Sequence, residues 1–224
     1  MNINPQDPKA ESRDRFVLSK GHCSPALYST LAQRGFFNEE ELTKFRKIDS
    51  NLQGHPDMNK VPGVDMTSGS LGQGLSVASG MALSSKMDSM GYRVYCLLGD
   101  GEIEEGQVWE AAMTSSKYKL DNLCVVVDNN NLQIDGDIQS VKGLNKIEEK
   151  FESFGFNVIT VNGNNIEQLI DAFDRAKMAK GMPTAIIAKT VKGKGVSFME
   201  NLASWHGKAP KEEEFNLAMK ELEN

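Results

Sequence analysis

The sequence of 224 residues has few cysteines and no long apolar run, and each shortage excludes a class of protein. Its cysteines, Cys23, Cys96 and Cys124, are odd in number and not in CxxC spacing, which argues against a disulfide scaffold or a cysteine-bound metal. Buried, reduced thiols are the expected alternative. No apolar run approaches the roughly 18 residues of a membrane span. The start also lacks the apolar core of a signal peptide. We therefore expect a cytoplasmic protein with no membrane partner.

An excess of basic residues is also missing, because the formal net charge is −6. A general nucleic-acid surface needs a basic stripe, so no nucleic-acid partner is expected. Hydrophobic residues make up 39% and charged residues 25% of the chain, which is typical of a soluble globular domain. Without a repeat, a low-complexity segment or a linker, the length predicts a single α/β domain over residues 1–224.

Two short apolar runs organise the middle of the chain. They occupy residues 94–98 and 123–127, and turn residues follow each of them. This pattern predicts two buried parallel strands. Residues 102–119 carry apolar side chains near helical spacing, which completes a βαβ unit. The expected fold class is therefore α/β, a parallel sheet flanked by helices, with its ligands at the carboxyl edge of the strands.

The residue types at that edge favour a metal and an anion. Asp100 and Asn130 each follow a predicted strand, and their oxygens suit a hard cation such as Mg²⁺. Gly99 and Gly101 would let the backbone approach a diphosphate, and the next helix would offer its N–H groups. GDG and NN taken separately are common turn chemistry. Their joint placement at neighbouring strand ends favours a site.

The same segments resemble a known family. GDG at 99–101 followed by NN at 129–130 resembles the thiamine-diphosphate fingerprint. The surrounding sequence is similar to the transketolase family, specifically to the amino-terminal subunit of split, two-chain transketolases. The segments that carry this resemblance are DRFVLSKGH (14–22), GHPD (54–57), TSGSLGQG (67–74), GDGEIEEGQVWEAA (99–112), DNNNLQIDG (128–136), TVKGKGVSFME (190–200) and WHGKAP (205–210). They span almost the whole chain in family order.

The resemblance implies thiamine diphosphate and Mg²⁺ as cofactors, with Ca²⁺ or Mn²⁺ able to substitute. It implies Asp100, Asn130 and the backbone carbonyl of Leu132 as metal ligands. The residues it places against the cofactor are His22, Gly69, Ser70, Leu71, Gly99, Asp100, Gly101, Asn130, Lys189 and His206. A solvated charge run is the competing interpretation for Lys192 and Lys194, and Lys189 is favoured over both.

The resemblance also assigns roles in the reaction to four residues. His22 would lie beside the diphosphate, His55 would reach the reacting carbons, and His206 would lie over the cofactor and stabilise charge. Glu105 matches a glutamate that communicates between two active sites across a dimer. Each histidine could instead be structural. For Glu102 and Glu104, capping of the helix dipole is the expected role.

Several further elements follow from local pattern. The sequence predicts helices over 24–34, 39–48 with Asn38 as N-cap, 75–90, 146–154, 166–179 and 211–223, and strands over 157–161 and 183–188. Small residues alternate along the helix at 75–90, and we expect them to pack on another polypeptide of the assembly. They are Ser76, Ala78, Ser79, Gly80 and Ala82.

The resemblance implies transfer of a two-carbon ketol unit between ketose and aldose phosphates, as in the pentose phosphate pathway. The glutamate that activates the cofactor belongs in this family to a pyrimidine-binding domain, and no segment here resembles its context. We therefore expect the partner to be a C-terminal transketolase subunit, with a homodimer contact inside a heterotetramer, and we expect this chain alone to be inactive. The segment that usually precedes the first residues in the family is also absent, which suggests a truncation or an internal start.

Other interpretations stay open. A 1-deoxyxylulose-5-phosphate synthase or a dehydrogenase E1 component shares the fingerprint, although WHGKAP and GHPD favour transketolase. A truncated, non-catalytic chain that binds partners but no cofactor is a further alternative. A nicotinamide-binding domain is disfavoured, because no GxGxxG follows the first strand.

Overall fold

A five-stranded parallel sheet with the order β1-β2-β3-β7-β6 forms the centre of the computed structural model, which describes residues 1–223. Its strands are β1 (Arg15–Leu18), β2 (Val94–Gly99), β3 (Leu123–Asn129), β6 (Asn157–Asn162) and β7 (Thr184–Lys189). A small antiparallel hairpin of β4 (Leu132–Gln133) and β5 (Gly136–Asp137) follows β3. The predicted parallel α/β sheet is confirmed.

Helices cover both faces of the sheet. They are α1 (Ser24–Gln33), α2 (Gly74–Met87), α3 (Gly106–Lys117), α4 (Ile138–Val141), α5 (Ile147–Ser153), α6 (Ile166–Met178) and α7 (Glu212–Leu222). Apolar side chains of α2, α3 and α5 pack on one face of β2 and β3, and α6 packs on the other face near β6 and β7. Burial on both faces explains why the central strands are continuous apolar runs in the sequence.

The predicted helix over 39–48 is only partly correct. Asn38 caps a 3-10 helix, Glu39–Lys44, by accepting a hydrogen bond from the Glu40 N–H at 3.0 Å, but no residue of this turn is buried. Phe45 is already outside helical geometry and Arg46 has φ of 58°. Without an apolar face to bury, one capped turn does not extend into a helix.

The predicted helix over 102–119 is divided in two. A 3-10 turn, Glu102–Glu104, comes first, then Glu105 adopts extended geometry and α3 begins at Gly106. The interruption lets residues 102–105 fold against the ends of β1 and β2 instead of continuing the helix axis. This local break decides where the acidic side chains of the segment point.

The small residues of α2 do not all face outward as expected. Ala78, Ser79 and Ala82 are buried within the chain, and the Ser79 hydroxyl lies 2.7 Å from the Ser115 hydroxyl of α3. For these three residues, contact with another polypeptide is therefore the wrong prediction, because α3 already covers them. Gly80 is exposed and Ser76 is half-buried. No helix within residues 1–223 is long and apolar enough to cross a membrane.

Candidate active site

The carboxyl ends of the parallel strands open into one cleft of about 910 Å³. The chain segments that follow β1, β2, β3 and β7 form its walls, and residues 206–209 contribute from near the carboxyl terminus. Eight of the residues predicted from the sequence line it together: His22, Leu71, Gly99, Asp100, Gly101, Asn130, Leu132 and His206. The edge of the sheet that was predicted to hold ligands is therefore the edge where the cleft lies.

Asp100 is a buried carboxylate at the floor of the cleft, with only 2% of its surface exposed. Its Oδ1 accepts a hydrogen bond from the Gly101 N–H at 2.9 Å. Its Oδ2 accepts from the Asn129 amide at 3.0 Å and from the Asn131 N–H at 2.6 Å. Burial raises the pKa of Asp100, and these three hydrogen bonds act in the opposite direction. The carboxylate is held in one orientation by neutral donors, as a metal ligand would be.

Asn130 and Leu132 belong to a single turn beside Asp100. The Leu132 N–H donates to Asn130 Oδ1 at 3.0 Å, and Asn131 between them has a left-handed φ of 63°. One carboxylate, one side-chain amide and one backbone carbonyl are therefore grouped, and such oxygens suit Mg²⁺. Within residues 1–223, no three His, Cys, Asp or Glu side chains converge on a metal position. Any metal here would depend on this mixed set of oxygens.

Asn129 is a buried residue of the site that the sequence did not single out. It donates to Asp100 and to Asn131 Oδ1, and its own Oδ1 accepts from Lys189 Nζ at 2.6 Å. Lys189 Nζ also pairs with Glu148 at 2.7 Å. Lys189 is exposed and does not line the cleft, so it reaches Asp100 only through Asn129. Its expected contact with a cofactor stays a prediction.

An ion pair that was also missed lies at the back of the cleft. Lys20 Nζ donates to Asp128 Oδ2 at 2.5 Å, and the Thr190 hydroxyl donates to the other carboxylate oxygen. Burial alone would lower the pKa of Lys20, but Asp128 outweighs it and the pKa is raised. The same ammonium lowers the pKa of Asp128 against the effect of burial. The cleft therefore contains a fixed cation beside its anionic floor.

The histidines His22 and His206 stand together at the cleft. Burial of its ring, followed by the nearby His206 and Lys20, lowers the pKa of His22 to about 4. Burial, followed by Lys192 and Lys20, lowers the pKa of His206 as well. Both imidazoles are therefore neutral near neutral pH. Among the described residues, no partner contacts the buried Nδ1 of His206, which leaves a polar atom for a ligand.

The remaining predicted residues lie beside the cleft instead of lining it. His55 is exposed, and a Cβ built on Gly69 would lie 3.8 Å from its ring, so the two are neighbours. Ser70 is exposed on the same loop. Glu105 is exposed, and its Cβ packs against Gly72. Their predicted roles stay predictions.

Glu102 differs from its expected capping role. It is 3% exposed and accepts hydrogen bonds from the Ser19 hydroxyl and from the N–H groups of Gly72 and Gly99. Burial raises the pKa of Glu102, although those hydrogen bonds oppose the shift. The prediction failed because all three donors are remote from the helix that Glu102 precedes.

Comparison with known proteins gives consistent relatives. The family model described as "Transketolase, thiamine diphosphate binding domain" matches residues 1–223. One of the two subunits of the apulose-4-phosphate transketolase of Phocaeicola vulgatus is 43% identical over 99% of this chain and 79% of its own length. The 6-deoxy-6-sulfo-D-fructose transketolase subunit SqwG of a Clostridium species is 44% identical over 100% of this chain and 81% of its own. Human transketolase is 48% identical over 93% of this chain, but the match spans only 33% of its length.

Solved structures give the same likeness. Transketolase from Campylobacter jejuni superposes with a TM-score of 0.95 at 35% identity, covering 100% of this chain and 36% of that chain. Transketolase from Pichia stipitis in complex with sedoheptulose-7-phosphate superposes with a TM-score of 0.95 at 31% identity, covering 100% of this chain and 35% of that chain. The cleft described above therefore lies in a backbone that is similar over its whole length to the corresponding third of these enzymes.

Proposed function

This chain belongs to the transketolase family, and from that membership we propose that it is the diphosphate-binding, amino-terminal subunit of a two-chain enzyme. The reaction is transfer of a two-carbon ketol unit from a ketose phosphate to an aldose phosphate. The observation that carries the proposal is the convergence of Asp100, Asn130 and Leu132 with the neutral pair His22 and His206 in one cleft.

The residues present fit thiamine diphosphate and Mg²⁺. Asp100, Asn130 and the Leu132 carbonyl would hold the metal, and Lys20 places a cation near the anionic diphosphate. Ca²⁺ or Mn²⁺ offers the same oxygen chemistry. When bound, thiamine diphosphate would supply the electron sink that lets a carbon–carbon bond of the ketose break. The protein contributes binding, orientation and electrostatics.

The two neutral histidines suit recognition of an uncharged sugar segment. A neutral imidazole has one donor and one acceptor nitrogen, so it can bind hydroxyl groups on either side. His206 Nδ1 is buried without a partner among the described residues, and we assign it to a substrate oxygen. His55 stands at the edge of the cleft beside Gly69, where it would contact the substrate's reacting end.

A second chain would complete the site. The cofactor's aminopyrimidine needs a carboxylic acid for its acid–base relay. The acids of this cleft are already engaged: Asp100 and Glu102 by backbone donors and Asp128 by Lys20. We propose that a C-terminal transketolase subunit provides the acid, within a cytoplasmic heterotetramer. Two relatives whose names mark them as one part of a divided transketolase support this arrangement. Glu105, exposed at the start of α3, is our candidate for contact with the opposite site.

A ketol-transfer assay with purified chains tests the proposal. This chain, a candidate C-terminal partner and their mixture are each supplied with thiamine diphosphate, Mg²⁺, a ketose phosphate and an aldose phosphate. We expect transfer only in the mixture, and a large loss of kcat in His206→Gln. Transfer by this chain alone would contradict the shared site. A stable mixture that binds the cofactor but transfers nothing from any ketose phosphate would contradict the reaction.

A further inference from the structure

We propose that Glu102 is a positioning residue that sets the spacing between two walls of the cleft. One wall is loop 69–72, which carries Leu71, and the other is segment 99–101, which carries Asp100. The inference rests on the proposed function, because it concerns how this chain shapes its cleft for a cofactor that spans both walls. Glu102 acts through these backbone segments.

The first observation is that one carboxylate joins three distant segments. Its Oε1 accepts from the Ser19 hydroxyl at 2.5 Å and from the Gly72 N–H at 3.0 Å. Its Oε2 accepts from the Gly99 N–H at 3.1 Å. Ser19 directly follows β1, just before Lys20 and His22, so the carboxylate links that segment to both walls.

The second observation is that the segments are packed with almost no free space. The Ser19 hydroxyl also accepts from the Gly74 N–H at 3.1 Å, where α2 begins. A Cβ on Gly74 would lie 2.3 Å from Ser19 Oγ, and one on Gly72 would lie 2.7 Å from the Glu105 Cβ. Because glycine is needed for these approaches, a small shift of Glu102 must be transmitted to the loop and to the start of α2.

A carboxylate is the side chain that this arrangement requires. All three neighbours donate, and a carboxylate offers two acceptor oxygens and no donor. A glutamine has one acceptor oxygen and an NH₂ group, so in either orientation at least one donor would face another donor. A buried donor without a partner is costly, and the segment that carries it would move away.

The expected consequence differs between ligands of different length. Thiamine diphosphate would contact segment 99–101 with its diphosphate and loop 69–72 with its rings. Pyrophosphate would contact only the segment that holds Asp100. Loss of the fixed spacing should therefore weaken the long ligand more than the short one, because only the long ligand depends on both walls at once.

The test measures both ligands by calorimetry with Mg²⁺, on the chain mixed with its C-terminal partner. In Glu102→Gln we expect thiamine diphosphate to bind about tenfold more weakly and pyrophosphate about twofold more weakly. The matched control is Glu104→Gln, on the same turn, where only the Gln133 side chain donates to the carboxylate, at 3.3 Å. This control should bind both ligands as the wild type does.

A second control separates positioning from general stability. Ile159→Ala removes a buried side chain of β6, away from the cleft, and should lower the melting temperature without changing the ratio of the two dissociation constants. If Glu102→Gln does not fold, Ser19→Ala removes only the hydroxyl and should change the ratio in the same direction.

The outcomes separate the two proposals. A changed ratio in Glu102→Gln, with both controls unchanged, supports the positioning role. Equal weakening of both ligands, an effect matched by Glu104→Gln, or no effect overturns that role while the proposed function stands. Failure of the wild-type mixture to bind thiamine diphosphate overturns the proposed function and this inference with it.

Discussion

The imidazole rings of His22 and His206 are stacked, with their centroids 5.3 Å apart and their planes at 30°. The two residues come from opposite ends of the chain, one just before α1 and the other just after the 3-10 turn Ala203–Trp205. Their contact closes the cleft between the first and last parts of the domain. Because both rings are neutral near neutral pH, their stacking is compatible there and opposed when they become charged.

Acid sensitivity of the fold should depend on His22. Its pKa is about 4 in the folded chain against 6.5 for an ordinary histidine, so between these values the unfolded chain holds more protons. The free energy of unfolding therefore falls as pH falls from about 6.5 towards 4. In His22→Gln this contribution disappears. Urea unfolding at pH 7.5 and pH 5 should show the variant gaining stability relative to wild type at the lower pH, and a pH-independent difference would contradict the assignment.

Gly74 should tolerate no side chain. A Cβ there would lie 2.7 Å from the Ser19 backbone as well as against its hydroxyl, so Gly74→Ala should lose about 1–3 kcal/mol of unfolding free energy. Gly80 is the matched control, because it lies in the same helix and its added Cβ meets nothing within 4 Å. Gly80→Ala should gain up to about 1 kcal/mol through helix propensity. Equal effects of the two changes in urea unfolding would be inconsistent with the close approach at Ser19.

Asn129 should be needed as an amide. In Asn129→Asp a carboxylate would replace the amide that donates to Asp100, and two buried carboxylates would face each other. Lys189 offsets part of the repulsion, so we expect a loss of roughly 2 kcal/mol at pH 7. The matched control is Asn157→Asp in β6, where the neighbouring Thr184 hydroxyl can turn to donate. Circular dichroism in a urea series measures both, and an equal loss in the two variants would argue against Asn129 as the support of Asp100.

The sheet was predictable where burial leaves a simple pattern. Residues 94–98 and 123–127 are apolar because β2 and β3 are covered on both faces, and such runs can be recognised without knowing the neighbours. β1 offered only the apolar triplet at 16–18 and an edge position, so it did not stand out as a strand. The helix expected over 39–48 failed because its cap and acidic turn are local signals, and no tertiary contact buries it.

The site was predictable to the extent that strand ends place residues. Asp100 and Asn130 follow adjacent strands, and their proximity is a consequence of parallel pairing. The ion pair Lys20–Asp128 and the contact of Ser19 with Glu102 join residues 108 and 83 positions apart. Such contacts leave no periodicity or motif in one sequence, and only the folded chain reveals them.

Calorimetric titration of thiamine diphosphate in the presence of Mg²⁺ tests the central claim most directly. The chain is measured with and without its C-terminal partner, beside Asp100→Ala and the surface control Asp88→Ala. We predict binding in the mixture that is lost in Asp100→Ala and kept in Asp88→Ala, because Asp100 is the buried carboxylate of the proposed metal set. Absence of binding by the folded wild-type mixture, or full binding by Asp100→Ala, would contradict the account.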